Sequence, residues 1–102
     1  MTNEQFILHN QSATLRRNLV LQKKEKEYSN GKDRLEQFHR AASAQNILPT
    51  EALIGMATKH FTSITDMCKH PLDHTFKQWH EKLDDLRNYC DLLDALITDT
   101  KE

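Results

Sequence analysis

The sequence predicts an all-α fold, a single helical domain that spans residues 1–102 and is built from four helices. Apolar residues recur at steps of three and four through most of the chain, and no credible stretch alternates between apolar and polar residues. Only 2 Gly and 2 Pro occur among the 102 residues, and Gly31, Pro49 and Pro71 separate the helical segments. The length suffices for one hydrophobic core but not for two domains.

The first predicted helix runs from about residue 3 to residue 28. Thr2 followed by Gln5 is a capping-box signal at its start, and a turn of sequence SNGK ends it. The apolar pattern weakens around Asn10, which is where a break would fall. The apolar positions of this helix are Phe6, Leu8, Leu15, Leu19 and Val20.

The second predicted helix is short, and the third is the clearest amphipathic helix of the chain. Asp33 and Glu36 form a capping-box signal for the second helix, which ends near Gln45. Thr50 is the predicted N-cap of the third helix, and Pro71 stops it. The stripe of the third helix, at steps of three and four, consists of Leu53, Met56, Ala57, His60, Phe61, Ile64, Met67 and Cys68.

The fourth predicted helix begins near residue 73 and has an unusually wide apolar surface. Tyr89, Leu92 and Leu96 lie outside its main stripe and widen the apolar arc beyond the ~100° of an ordinary surface helix. We therefore expect two neighbours to cover its C-terminal half, one of them a second subunit in a homo-oligomer. The main stripe consists of Phe76, Trp79, Leu83, Leu86, Cys90, Leu93 and Ile97.

Composition excludes several classes of function. With 14 Lys and Arg against 15 Asp and Glu, the net charge is −1, so no overall field attracts duplex DNA. No stretch approaches the ~20 apolar residues of a membrane-spanning helix, and the N-terminal residues lack the features of a secretion signal, so we expect a cytoplasmic protein. Cys68 and Cys90 form no CxxC motif and are expected to be reduced, packed thiols.

The fourth helix carries a ladder of oxygen ligands. Glu81, Asp85 and Asn88 are spaced i, i+4 and i+7, which places two carboxylates and an amide along one side of the helix. Mg²⁺ prefers such hard ligands and commonly takes one or two carboxylates together with substrate phosphates. On spacing alone, a solvated acidic face is favoured over a metal site.

Cationic residues gather around the turn between the first two helices. Such a cluster can hold a phosphate-bearing small molecule, and Tyr28 within it can stack on a base. The alternative is that the lysines favour the negative end of the helix dipole. Lys59 beside Ser63 is a second possible phosphate contact, against the alternative of surface residues that border the core. We expect His60 to be packed in the core. The cationic cluster around the turn between the first two helices consists of Lys23, Lys24, Lys26, Lys32, Arg34 and Arg40.

Four short segments, read in order, resemble a known family. They are KEKEY at 24–28, DRLEQF at 33–38, KH at 59–60 and EKLDDLRNY at 81–89. Together they resemble small phage and prophage proteins of the MazG-like type, the all-α nucleotide pyrophosphatase group that includes phage domains associated with nucleotide modification. The resemblance implies a four-helix MazG-like arrangement, oligomeric, with nucleotide sites between helices, in the cytoplasm of a bacterial host.

The resemblance also implies roles for individual residues. Glu81 and Asp85 match positions at which the family's last helix binds metal, Asn88 lies one turn further, and Tyr28 and Asp33 fall in the turn that borders the pocket. Catalytic relatives add an E-x-x-E pair on an earlier helix, which this chain lacks. Two carboxylates and an amide hold less metal than hydrolysis of a diphosphate requires.

The resulting hypothesis is a phage-type protein that binds a nucleotide or cyclic nucleotide signal and sequesters it from host defence. Lys24, Lys26, Arg34 and Lys59 would contact phosphates, while Tyr28 or Trp79 would stack on a base. One alternative is a Mg²⁺-dependent nucleoside triphosphate pyrophosphohydrolase of phage nucleotide metabolism. Another is a helical module that inhibits a host factor by binding it through Tyr89, Leu92 and Leu96.

Overall fold

A computed structural model shows four α-helices in the residues that it describes, which confirms the all-α prediction. It describes residues 1–28 and 33–101, with side chains at 1–24 and 33–100, and no strand occurs in these ranges. A 3-10 turn, Pro71–Asp73, lies between the third and fourth helices, and none of the described helices is long and apolar enough to cross a membrane. The helices are α1 (Asn3–Tyr28), α2 (Glu36–Gln45), α3 (Pro49–Lys69) and α4 (Phe76–Lys101).

Two helix starts are fixed by reciprocal side-chain caps. The Thr2 N–H donates to Gln5 Oε1 at 2.7 Å and the Gln5 N–H donates to Thr2 Oγ1 at 3.1 Å, as predicted. Thr75 and Gln78 make the same pair of bonds before α4, at 2.8 and 3.1 Å. This box explains why α4 begins at Phe76 and not near residue 73. Helix α1 continues through the weak point predicted around its tenth residue.

The prediction that Thr50 caps α3 is wrong. Helix α3 begins two residues earlier, at Pro49, because proline has the helical φ and no N–H to leave unpaired in the first turn. Leu48 takes the cap position, and its N–H donates to Glu51 Oε1 at 3.1 Å. Helix α2 ends at Gln45 as expected, where Asn46 adopts a left-handed conformation with φ 56°.

The core lies where α2, α3 and α4 meet. Phe38, Leu53 and Leu96 are fully buried there, and Leu35 joins them. The side chains packed against this cluster are Met56, Tyr89, Leu92 and Leu93. Packing within the chain therefore covers much of the wide apolar arc of α4, so this arc no longer supports the expectation of a second subunit at that place, nor that of a host factor bound there.

Helix α1 turns a different face to the bundle than its leucines suggest. Ala13 is buried, whereas the large apolar side chains at positions 6, 8, 15 and 19 are all more than half exposed. Arg16 and Arg17 reach acidic residues of α4 instead, at 2.6 and 3.6 Å.

The predicted packing of Cys68 and Cys90 is also wrong, since both thiols lie on outward-facing sides of their helices.

Gly55 lies in the interior of α3, and a methyl group there would meet no atom within 4 Å. We expect Gly55→Ala to raise the free energy of unfolding by about 0.5–1 kcal/mol, because alanine loses less backbone entropy when the helix forms. Thermal unfolding followed by circular dichroism measures this change. Ala95→Gly, the reverse exchange at an exposed site of α4, should lower stability by a similar amount. A lower melting temperature for Gly55→Ala would contradict the prediction.

Candidate functional site

A cavity opens where α1, α3, α4 and the start of α2 approach one another. Its volume is about 280 Å³, close to the lower end of the roughly 300–1,000 Å³ typical of small-molecule sites. The wall combines charged, amide and apolar side chains from all of these segments. The lining residues are Leu21, Lys24, Arg34, Gln37, Met56, Lys59, Asp85, Asn88, Tyr89 and Leu92.

Three cations from three different segments face this cavity. Lys24 comes from the last turns of α1, Arg34 from the segment before α2, and Lys59 from the middle of α3. The Lys24 Nζ donates to Asp85 Oδ1 at 3.0 Å, and Arg34 Nη2 donates to the Leu21 carbonyl at 2.9 Å. Because the described wall holds three cations against one carboxylate, the cavity carries an excess of positive charge suited to an anionic ligand.

Asn88 is the most unusual polar residue of the cavity. It is only 4% exposed, and neither its Oδ1 nor its Nδ2 has a hydrogen-bond partner among the described residues. Leaving a buried polar group unpaired costs about 1–3 kcal/mol. Most buried side-chain polar atoms are paired, so an amide with both ends unpaired at a cavity wall makes Asn88 a candidate for hydrogen bonding to a bound molecule.

Another part of the cavity wall is formed by apolar and aromatic side chains. Met56, Tyr89 and Leu92 pack on the core with one side and line the cavity with the other. A small flat or hydrophobic group fits such a wall, whereas an isolated inorganic anion gains nothing from it. The cavity therefore has two chemically distinct parts, one for negative charge and one for apolar or aromatic surface.

The prediction places His60 in the core. In the structure it lies beside the site, next to Asp85 and Tyr89. Its side chain is 13% exposed, Nδ1 lies 3.8 Å from Asp85 Oδ2, and its ring centroid is 5.3 Å from that of Tyr89. Burial, the largest cause, holds the pKa of His60 below its ordinary value of about 6.5, and Asp85 opposes this shift. The charges of Lys59, Lys82 and Lys24 lower the pKa further.

This lowered pKa predicts how stability depends on pH. The unfolded chain protonates His60 at a higher pH than the folded chain does. The free energy of unfolding therefore falls as the pH drops below about 6.5 and is higher at neutral pH. Urea unfolding at pH 5 and pH 7.5 measures the difference. His60→Gln should lose less stability on acidification than the wild type, while His39→Gln, at an exposed position of α2, should behave like the wild type. Equal losses in the wild type and His60→Gln would contradict the prediction.

The predicted metal ligands border a second, shallower depression. Glu81 is exposed there with Asp85 beside it, and Lys23 and Lys24 line the same depression. Since Asp85 already accepts a hydrogen bond from Lys24, a cation bound at this carboxylate would have to displace the lysine. The carboxylates of Glu81 and Asp85 therefore do not form a preformed Mg²⁺ site. Across the described residues, no group of three or more His, Cys, Asp or Glu is arranged to hold a metal ion.

Trp79 and Asp33, which were also predicted as site residues, do not line the cavity. Trp79 Nε1 donates to the Pro71 carbonyl at 3.1 Å, and its ring packs edge-on against His74. Asp33 accepts a hydrogen bond from the Leu35 N–H at 2.9 Å and so shapes the start of α2. The side chains of Lys26 and Tyr28 lie outside the described residues.

Five of the predicted residues are brought together in the cavity, and sequence reasoning missed the other five. The missed residues include Leu21, which lies in none of the quoted segments, and Gln37, which lies in the DRLEQF segment but was given no role. Met56 and Leu92 belong to the apolar patterns of their helices, and a residue that packs on the core gives the same signal whether or not it also borders a cavity. The five residues predicted and brought together are Lys24, Arg34, Lys59, Asp85 and Asn88.

Comparison with known proteins adds no relative: no protein-family model, curated protein or solved structure matches this chain. The function of the site must therefore be inferred from its own geometry and charge.

Proposed function

We propose that the cavity binds a nucleotide or a cyclic nucleotide. The observation that carries this proposal is the convergence of Lys24, Arg34 and Lys59 on one cavity whose wall also contains the buried, unpaired amide of Asn88. Phosphate oxygens bind charged donors strongly, and a base or sugar offers the donors and acceptors that an amide can satisfy. A nucleotide supplies both in one molecule.

The two parts of the cavity fit the two parts of such a ligand. The phosphate would lie among the cations, where Arg34 can present a planar, two-pronged donor and Lys59 a point charge. The base would lie against Tyr89, Met56 and Leu92, since aromatic and apolar side chains stack on bases of any sequence. Asn88 would then hydrogen-bond a polar edge of the base or the sugar.

The resemblance to MazG-like phage proteins agrees with this assignment. It places nucleotide sites between helices and adds assembly into an oligomer. Among the described residues that line the cavity, Asp85 is the one carboxylate, and it is paired with Lys24. Retention of the ligand is therefore favoured over hydrolysis. A phage protein that binds a nucleotide signal without turning it over would sequester that signal from host defence.

Isothermal titration calorimetry against nucleoside monophosphates, triphosphates and cyclic nucleotides tests the proposal. We expect at least one class to bind, and Arg34→Ala and Lys59→Ala each to weaken that binding about tenfold or more, because a hydrogen bond to a charged group contributes about 1.5–3 kcal/mol. Arg40→Ala is the matched control, since Arg40 is exposed and pairs with Glu36 away from this cavity. The proposal would be overturned if none of these nucleotides bound.

A metal-dependent pyrophosphohydrolase is the second candidate, because Glu81 and Asp85 border a depression next to the cavity. Release of pyrophosphate from nucleoside triphosphates in the presence of Mg²⁺ or Mn²⁺ measures this activity. Turnover that is lost in Glu81→Gln would assign hydrolysis to the chain. Binding without turnover would indicate that the protein holds the nucleotide and does not hydrolyse it.

A further inference from the structure

Helix α3 carries an exposed apolar face beside its core-facing stripe. Ile54 and Phe61 are 51% and 61% exposed, and Cys68 is exposed as well. These three residues recur every seven positions, so they form one line along the helix. The line is about 21 Å long, given a rise of 1.5 Å per residue. It lies outside the cavity described above, so its role is independent of the proposed function.

The polar residues within this face do not make it hydrophilic. Thr58 Oγ1 donates to the Ile54 carbonyl at 2.8 Å, and Thr65 Oγ1 donates to the Phe61 carbonyl at 2.9 Å. Their hydroxyl hydrogens are thus satisfied by the helix backbone. The face therefore resembles a helix-packing surface more than a solvated one.

Opposite charges mark the two ends of the face. Glu51 lies in the first turn of α3 and Lys69 in the last, and within this fully described helix no charged residue falls on the face between them. The two positions are about five helical turns apart at 3.6 residues per turn, so both project from the same side of the apolar line. In an antiparallel pair of such helices, Glu51 of one copy would lie near Lys69 of the other.

We propose that this face is an interface between two copies of the chain, with the two α3 helices antiparallel about a two-fold axis near Phe61. The arrangement places Phe61 against its own counterpart and Ile54 against Cys68 of the second copy. A two-fold interface must be self-complementary, and this face meets that requirement in both its apolar spacing and its charges. It differs from the wide apolar arc of α4, which packs within the chain.

The exposed leucines of α1 form a second apolar line, since Leu8, Leu15 and Leu19 are 65%, 64% and 58% exposed and lie on one side of the helix. The polar amides of Gln11 and Asn18 border that line, whereas the hydroxyls beside the α3 line are bonded to the helix backbone. A line of about 21 Å on one helix gives a contact at the low end of specific interfaces, so the dimer is reversible and concentration-dependent.

Light scattering on the ligand-free protein tests the interface. We expect the mass to approach about 24 kDa at high micromolar concentration, twice the 12.0 kDa of one chain. Phe61→Asp should return it to the monomer, with circular dichroism showing that the helices persist. Leu15→Asp, which interrupts the exposed leucine line of α1, should leave the dimer intact, and a monomer from this variant but not from Phe61→Asp would contradict the proposal. A monomer at every concentration, or a Phe61→Asp variant that still dimerises, would overturn the proposal.

Cross-linking tests the register even if Phe61→Asp fails to fold. With Cys90 changed to serine, Ile54→Cys should form a disulfide with Cys68 of the second copy, because facing positions bring the Cα atoms within the roughly 4.4–6.8 Å that a disulfide spans. The Cys90→Ser protein alone should form none, since its two Cys68 residues would lie about 21 Å apart. Equal cross-linking of both proteins, or none in either, would overturn the antiparallel register.

Discussion

Arg16→Ala is expected to lower the free energy of unfolding by about 3–5 kcal/mol, because it leaves a buried carboxylate without its main partner. Asp84 is 2% exposed, and Arg16 donates to both of its oxygens, from Nε at 2.6 Å and from Nη2 at 2.9 Å. Among the described cations, only Arg87 would remain near it, at 3.6 Å and partly exposed. For a domain whose total stability is of the order of 5–15 kcal/mol, the loss is severe.

Urea unfolding measures this loss. Removal of both partners in Arg16→Ala/Asp84→Ala should recover part of it, since no buried charge then remains unpaired. Arg40→Ala breaks an exposed pair with Glu36 and should change stability by no more than about 0.5 kcal/mol. If Arg16→Ala cost no more than this control, the pair would not be holding α1 on α4 as inferred.

Asn88→Leu is expected to change stability and binding in opposite directions. In the ligand-free protein, leucine removes two unpaired polar atoms from a buried position, so the free energy of unfolding should rise by about 1 kcal/mol. The same change removes the hydrogen bonds that the proposed ligand would make. Affinity for the nucleotide should fall about tenfold or more.

Denaturation and calorimetry on the same preparation measure the two effects together. Asn18→Leu makes the same exchange at an exposed position of α1 and should leave binding unchanged. A less stable Asn88→Leu protein would mean that the amide serves the fold. A more stable protein with unchanged affinity would show that it does not contact the ligand.

The number and type of the helices could be predicted from sequence because each helix has a periodic apolar pattern and the breaks between them are marked by Gly31, Pro49 and Pro71. Orientation was harder to predict where a helix carries two candidate faces. In α1, the leucines form the more obvious stripe, yet the buried face presents Ala13 and two arginines to acidic residues of α4. Periodicity alone does not reveal such a polar interface, because it ranks faces by hydrophobicity.

The same limit applies to the site. Charge and spacing selected Lys24, Arg34 and Lys59, and the fold brings them to one cavity. The same reasoning selected Trp79 as a base-stacking residue, although its indole is held by the Pro71 carbonyl elsewhere. Spacing places a residue on a side of its own helix, but which helix lies opposite depends on tertiary packing.

The polar attachment of α1 has a kinetic consequence for the cavity. Pairs from Arg16, Arg17 and Lys24 to acidic residues join α1 to α4, whereas Leu8, Leu15 and Leu19 face outward. Such a helix can separate from the bundle while the apolar core of the other three stays closed. Since Lys24 and Leu21 form part of the cavity wall, each separation would open a path for a bound ligand. Residence time would then shorten as added salt screens the more exposed of these pairs, those of Arg17 and Lys24.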